Sequence, residues 1–480
     1  MIHADEGAGP GPTPAWTTPR WAGLTFGVLF AMNMLDYVDR WALAGVLKHV
    51  QDDLHLKDDS AGSLNFYFLI SYSLFSPFMG WAGDRTRRTR LLAAGVGVWS
   101  LATVGTGLVH NFDQLRLARS VLGIGEATYA VLAPTLLMDL YSRERRSRIL
   151  SYFYLAMPVG YALGVALGGI IADYSPGWFA GTRLAPYAGW RMAFFVVGLP
   201  GLIAAASSLF LPEPVRGLSE GVDLARLREH ERAGARRADY LDLMVNSSYT
   251  YVVFGLAAYT FAFGGLAYWL PAFLTRVRGI PASTAGVILG ATGLAAALVG
   301  MTGGGWLADR LARKDVRALF LVPAASMLAA IPFILLGLSA RSVPWIAAWL
   351  FVAQALMFAN TGPSNAIIAN VVAPNMRATA YAVATLAIHV LGDVWSPWLM
   401  GLASEYLGHP DTAASSVGRA LAAIGAEPVD GKNLSAGMLV VVPAVLLGGV
   451  VLLAGARHLP REMALMLAKL KAAPAADAAR

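Results

Sequence analysis

The stretch Gly80-Trp81-Ala82-Gly83-Asp84-Arg85-Thr86-Arg87-Arg88 returns later in the chain as Gly305-Trp306-Leu307-Ala308-Asp309-Arg310-Leu311-Ala312-Arg313. The Asp-Arg pairs, at 84 and 309, are 225 residues apart. Pro134 repeats as Pro363 at an offset of 229, and Arg146 as Arg377 at 231. An offset that drifts slowly is what a duplication leaves after small insertions accumulate, so the chain reads as two related halves. Each copy is a short charged loop between long apolar runs. That setting decides the solvent in which the halves fold.

Apolar types make up 56% of the 480 residues and charged types only 14%, against roughly a quarter charged in soluble domains. Mean hydropathy is +0.55. A span across a bilayer needs about 20 mostly apolar residues, because every backbone polar group must be satisfied within it. Twelve such spans are predicted, at 21–47, 60–83, 90–110, 113–140, 146–174, 189–212, 247–275, 282–308, 316–340, 343–372, 377–407 and 434–458. Interior prolines such as Pro134, Pro158, Pro332, Pro363 and Pro397 would break soluble helices, but a membrane bundle tolerates them as bends. The predicted fold is an all-α membrane protein of twelve transmembrane helices in two pseudo-symmetric six-helix bundles. With no cysteine in the chain, disulfides, thiolate metal sites and thiol catalysis are excluded. No metal-ligand set or cofactor motif is evident.

The net charge of +7 reflects loops, not a nucleic-acid surface. Arg85, Arg87, Arg88 and Arg90 lie between spans two and three, Arg143, Arg145, Arg146 and Arg148 between four and five, and Arg310, Arg313, Lys314 and Arg317 between eight and nine. The alternate loops are poor in basic residues, so the positive-inside bias puts both termini in the cytoplasm. The expected organisation is a cytoplasmic segment 1–20, a first bundle 21–212, a cytoplasmic linker 213–246, a second bundle 247–458 and a cytoplasmic tail 459–480. Residues 1–20 lack the pattern of a cleaved signal. The tail alternates basic and apolar residues at helical spacing, as a helix lying on the inner surface does.

The repeated Gly-x-x-x-Asp-Arg-x-x-Arg loop resembles the gating motif of the major facilitator transporters, whose halves are parallel six-helix repeats. Gly80 and Gly305 would let helices approach, while Asp84, Arg85, Arg88, Asp309 and Arg310 would pair with neighbouring spans; the same arginines would also serve to enforce topology alone. Charges inside the spans are few. Asp36 and Arg40 stand at i,i+4 on span one and can pair, with Asp39 pointing partly elsewhere. Arg119 and Glu126 are two turns apart on one face of span four. At such depth a charge costs roughly 3 kcal/mol on insertion scales, so it must be paired or wet. The group is either a polar site in the first half or a structural ion-pair network. His389 and Asp393 form a second i,i+4 pair, where the acid would favour a charged imidazole. Asn360 begins a polar bend around Gly362-Pro363, and Tyr129, Tyr268, Trp269 and Trp395 are aromatic candidates.

Several of these stretches together resemble the Spinster family of lysolipid and sphingolipid transporters: Asp36-Tyr37-Val38-Asp39-Arg40, then Arg119 through Gly123-Ile124-Gly125-Glu126 to Tyr129, Ala133-Pro134-Thr135, and His389-Val390-Leu391-Gly392-Asp393. The resemblance implies an alternating-access carrier of amphiphilic lipids, lysophospholipid- or sphingoid-like, with proton dependence. It would be a monomer in the inner (plasma) membrane. By position it makes Asp39, Arg40, Arg119 and Glu126 the polar site and its switch, with His389 and Asp393 opposite. Asp36 departs from the family's more frequent Asn, which puts the charge balance in question. The rival readings are a proton-coupled carrier of small organic anions or drugs, and a membrane-embedded lipid-modifying enzyme. No nucleophile–base pair supports the latter.

Overall fold

The computed structural model describes residues 19–141, 149, 152–213, 243, 245–372 and 377–472. The expected arginine loop 143–148 and nearly all of the expected linker fall outside the described residues. The first half comprises α1 (Pro19–Leu54), α2 (Asp58–Arg85), α3 (Arg88–Thr106), α4 (Phe112–Leu140), α5 (Ala156–Trp178) and α6 (Trp190–Ser208). The second begins with α7 (Ser247–Arg276), α8 (Ala282–Ala312) and α9 (Ala318–Ser339). Span ten is divided into α10 (Val343–Phe358) and α11 (Thr361–Val371), and span eleven into α12 (Arg377–Leu391) and α13 (Ser396–Gly408). After α14 (Pro410–Ala414) and α15 (Ser416–Ala423), span twelve forms as α16 (Leu434–Met438) and α17 (Val441–Gly455), and α18 (Leu459–Ala472) follows.

Local chemistry accounts for these ends. Asn111, Asn246 and Asn433 each accept a backbone N–H from three residues on, capping α4, α7 and α16,. Pro134 and Pro332 lie inside continuous helices. Pro363 and Pro397 instead stand in the first turns of α11 and α13, where the missing N–H has no helical partner to lose,. The breaks in spans ten and eleven therefore each sit just before a proline. Among the described residues, ten stretches are long and apolar enough to cross a membrane. The more polar-ended α2 and α3 complete the twelve.

Close packing brings the halves together. Gly160, Gly164 and Gly168 form a stripe on α5, and a Cβ on Gly164 would lie 2.5 Å from the Val38 carbonyl of α1. The other side of α5 meets α8, where a Cβ on Gly290 would lie 2.7 Å from the Ala162 carbonyl. Only glycine permits backbones this close.

Hydrogen bonds between the halves cluster at one end of the bundle, opposite the repeated Asp-Arg loops. Asp58, fully buried at the start of α2, accepts both Arg276 Nη atoms at 2.6 Å and the Ser404 hydroxyl at 2.6 Å. Its own N–H donates to Glu405 at 2.6 Å, and Lys432 stands 3.4 Å away. Deeper in, Tyr268 donates to the Ala61 carbonyl at 2.6 Å and Asn65 to the Asp393 carbonyl at 2.9 Å. On the α5–α8 side, Asp173 accepts the Ser283 N–H at 2.7 Å, holding the first turn of α8.

Removing one partner of a buried pair strands the other, at about 3–5 kcal/mol, whereas replacing both by apolar groups is often neutral. Asp58→Ala is therefore expected to open this end. Spin labels on cysteines at His55 and Asp430, in a chain with no native cysteine, should move apart, and Asp58→Ala/Arg276→Met should restore much of the short distance. An unchanged distance in Asp58→Ala would show that the pair does not hold the halves.

Candidate functional site: a buried charge cluster in the first half

Five ionisable side chains from α1 and α4 meet near the middle of the first half. Arg40 donates through Nε and Nη2 to one oxygen of Glu126, at 3.1 and 2.5 Å. Its contact with Asp36, one turn back, is looser at 3.8 Å. The i,i+4 pair expected from spacing is present, but the cross-helix partner dominates. The reason is direction: Arg40 projects from α1 toward α4, and Glu126, fully buried, has no nearer cation. Asp39 does point elsewhere, meeting the Thr103 hydroxyl of α3.

Arg119 is only 2% exposed, yet among the described residues it meets no hydrogen-bond partner, and its Nε is wholly enclosed. Its guanidinium lies 4.9 Å from the Phe68 ring centre, with Arg40 5.0 Å from the same ring. Tyr37 and Tyr72 also face Arg40, at 5.0 and 5.6 Å. Aromatic faces partly replace the water that each cation has lost. Asp39, Glu126 and Tyr268 are within electrostatic range of Arg119. Among the described residues, one oxygen on each of Asp36, Asp39 and Glu126 has no hydrogen-bond partner. Three acids thus face two bases.

In the second half, His389 Nδ1 and Asp393 Oδ1 are 2.9 Å apart, and His389 lies within electrostatic range of Arg40 across the interface. These are the predicted pair, placed opposite the cluster. The other candidates have partners of their own. Tyr129 is enclosed against Trp99 and Phe153, and its hydroxyl donates to the Leu29 carbonyl at 2.5 Å, so it is part of the packing of α1 on α4. Asn360, buried at the α10–α11 break, accepts the Ser364 hydroxyl at 2.5 Å. Tyr268 and Trp269 belong to the closed end, Trp269 donating to the Pro397 carbonyl at 2.8 Å.

The two loop motifs differ. Arg85 stacks on Trp81 at 4.5 Å and Arg310 on Trp306 at 5.3 Å, so the second and sixth positions pair within each copy. Gly80 has only the Val131 side chain nearby and Gly305 has open space around it, so neither is the close-approach point the motif suggested. The Asp84 side chain lies outside the described residues, and Asp309 is exposed. Arg88, by contrast, is buried: it donates to Asp139 at 2.6 Å and to Glu213 at 3.0 Å. Glu213 also accepts the Thr89 N–H at 3.0 Å, closing the first turn of α3. Its counterpart Arg313 is exposed. Sequence reading missed Thr103, Phe68, Asp58 and Glu213. Of these only Glu213 carried a signal, as an acid just past span six and level with the arginine loop.

Burial alone would raise the Glu213 carboxyl, but hydrogen bonds from Thr89 N–H and Arg88 outweigh it and hold the pKa below the usual glutamate value,. A depressed folded pKa adds stability at pH above the ordinary glutamate range, and that stability is lost as pH falls through the folded value. Thermal unfolding across pH should show this acid loss in the native chain. Glu213→Gln should be less stable at neutral pH and respond more weakly to acid; an unaltered acid limb would remove Glu213 from the clamp.

The Major Facilitator Superfamily profile matches residues 29–397. Human protein spinster homolog 1 is 34% identical over 407 residues, 81% of this chain and 74% of that protein. Drosophila melanogaster protein spinster is 32% identical over 391 residues, 79% of this chain and 62% of that protein. A crystal structure of a bacterial homologue of the human lysosomal transporter Spinster, inward-facing and unoccupied, covers 93% of this chain and 99% of its own at a TM-score of 0.80 and 22% identity, a likeness of fold. The chain is a transporter, not an enzyme, and it belongs to the Spinster family of the major facilitator superfamily.

Proposed function

We propose that this protein is an alternating-access carrier of amphiphilic lipids, lysophospholipid- or sphingoid-like, whose turnover is coupled to protons. The observation that carries the reading is Arg119, a cation buried within electrostatic range of Asp39 and Glu126 yet without a hydrogen-bond partner among the described residues. Leaving a buried guanidinium unpaired is costly, and an anionic headgroup is the natural partner for its planar fork.

Two features support proton coupling. Three acids against two bases leave one carboxylate unbalanced in a low-dielectric site, and a proton on one of them restores neutrality. The Thr103 hydroxyl meets both Asp39 and, at 3.0 Å, the Trp99 carbonyl. A hydroxyl has one hydrogen to donate. Both contacts are satisfied when Asp39 carries a proton and donates it to Thr103, while Thr103 donates to Trp99. Asp39 is thus the proposed proton carrier, Arg40–Glu126 the switch, and His389–Asp393 the facing pair.

The halves are joined at the end away from the arginine loops. If those loops are cytoplasmic, as the positive-inside bias has it, the conformation is inward-facing. Both termini would then be cytoplasmic and the membrane the inner (plasma) membrane, with the carrier acting as a monomer.

In proteoliposomes, lysolipid uptake should saturate and respond to a pH gradient. Saturable uptake of small carboxylates with indifference to lysolipids would favour the organic-anion carrier instead. Asp39→Asn and Glu126→Gln should each lower turnover at least tenfold while the folded protein elutes normally, and full lipid transport by both would refute the assignment. His389→Ala should shift the pH–rate profile; an unmoved profile would leave that pair a structural contact.

A further inference from the structure

At the closed end, on the outer flank of the second half, a groove of about 320 Å³ runs between the last turn of α9 and the connector that follows α15. Its walls include Leu335, Leu336, Ile424 and Leu439, and Ser339 and Ser435 line it too. The volume is at the low end for small-molecule sites, roughly 300–1,000 Å³. Leu335 and Leu336 face outward at 38 and 43% exposure, so the groove opens sideways, where the bilayer would be. Ser435 is 3% exposed, and among the described residues its hydroxyl has no hydrogen-bond partner.

Two arginines stand beside it. Arg278, just past α7, donates to the carbonyl of Leu338, itself a groove residue, and lies 5.0 Å from the Phe273 ring. Arg341 follows Ser339 by two residues. Burial and the neighbouring Arg341 both hold the Arg278 guanidinium below its ordinary pKa. Like charges repel, and among the described residues neither pairs with a carboxylate. At the same end Arg276 and Lys432 pair with Asp58, and Arg191 pairs with Asp53. An uncompensated pair beside an apolar groove is the complement of an anion carrying a chain.

We propose that this groove binds an anionic phospholipid of the leaflet at the closed end, at a site separate from the charge cluster of the first half. The phosphate lies between Arg278 and Arg341, an ester carbonyl accepts the Ser435 hydroxyl, and one acyl chain lies along Leu335, Leu336 and Leu439. The connector that forms one wall also carries Lys432, which reaches the Leu56 carbonyl at 3.2 Å as well as Asp58. A lipid seated here braces the segment that joins the halves.

The test is native mass spectrometry of the full chain released from vesicles of equal phosphatidylglycerol and phosphatidylcholine. The unmodified protein should retain phosphatidylglycerol preferentially. A basic residue near a charged membrane surface favours an anionic lipid about fivefold, so Arg278→Gln/Arg341→Gln should reduce the preference on the order of thirtyfold. Ser339→Trp fills the groove from its exposed wall, leaves both arginines in place and should also expel the lipid. Thermal unfolding in detergent confirms that each variant is folded. Undiminished phosphatidylglycerol retention in either folded variant would overturn the proposal, as would displacement of the lipid by millimolar inorganic phosphate, which would mark a headgroup-only anion site.

Discussion

A charge removed from water must keep a partner, and that requirement organises this molecule more than any apolar contact does. Apolar burial cannot distinguish one packing of membrane helices from another, because lipid tails are as apolar as leucine. Buried charges can. Asp58 takes Arg276 and Ser404 from the other half, and Glu126 takes Arg40 from a neighbouring helix. Each assignment holds for one arrangement of the helices. A carrier must leave that arrangement and return, so the same charges need a second set of partners or a proton. Buried pairs contribute little net stability compared with apolar replacements. That makes them poor mortar and good switches.

The two halves share a pattern but divide the work. In the first, Arg88 ties the start of α3 to Asp139 on α4 and to Glu213 beyond α6. Three helices are thereby fixed at the loop end, where the inter-half hydrogen bonds do not reach. In the second, Arg313 and Asp309 are exposed, and helix breaks before Pro363 and Pro397 supply flexibility instead. The first half reads as the rigid body that holds the charges. The second half carries the bends at α10–α11 and α12–α13, together with the facing pair His389–Asp393 at one of them.

The fold was legible because its signals are local. Span length, loop charge and the repeated Asp-Arg loop depend on neighbours in sequence. The membership of the charge cluster was legible too, since a charge within an apolar span is conspicuous wherever the chain later places it. Its wiring was not. Spacing alone favours Asp36–Arg40, yet the short contact is Arg40–Glu126, 86 positions apart, and no periodicity encodes that distance. Thr103 looks like any small polar residue of a span until α3 lays it against Asp39. Tyr129 reads from the sequence as an aromatic free to face a cavity, three residues beyond Glu126, whereas its hydroxyl is engaged by the Leu29 carbonyl.

Asp58 shows the limit most clearly. At the start of a helix, beside Asp59, it reads as an ordinary first-turn acid favourable to the helix dipole,. Nothing in the sequence separates the two aspartates. The fold does: Asp59 turns to the Ser60 hydroxyl beside it, while Asp58 is driven inward by Gly401, whose missing side chain lets α13 settle onto the Asp58 backbone. A Cβ at Gly401 would strike that carbonyl, so the glycine on one half and the carboxylate on the other form a single device. The approach distance set by the first is what dehydrates the second. Closure and charge pairing at this end are therefore one event, and separating the halves must rehydrate Asp58 and Arg276 together.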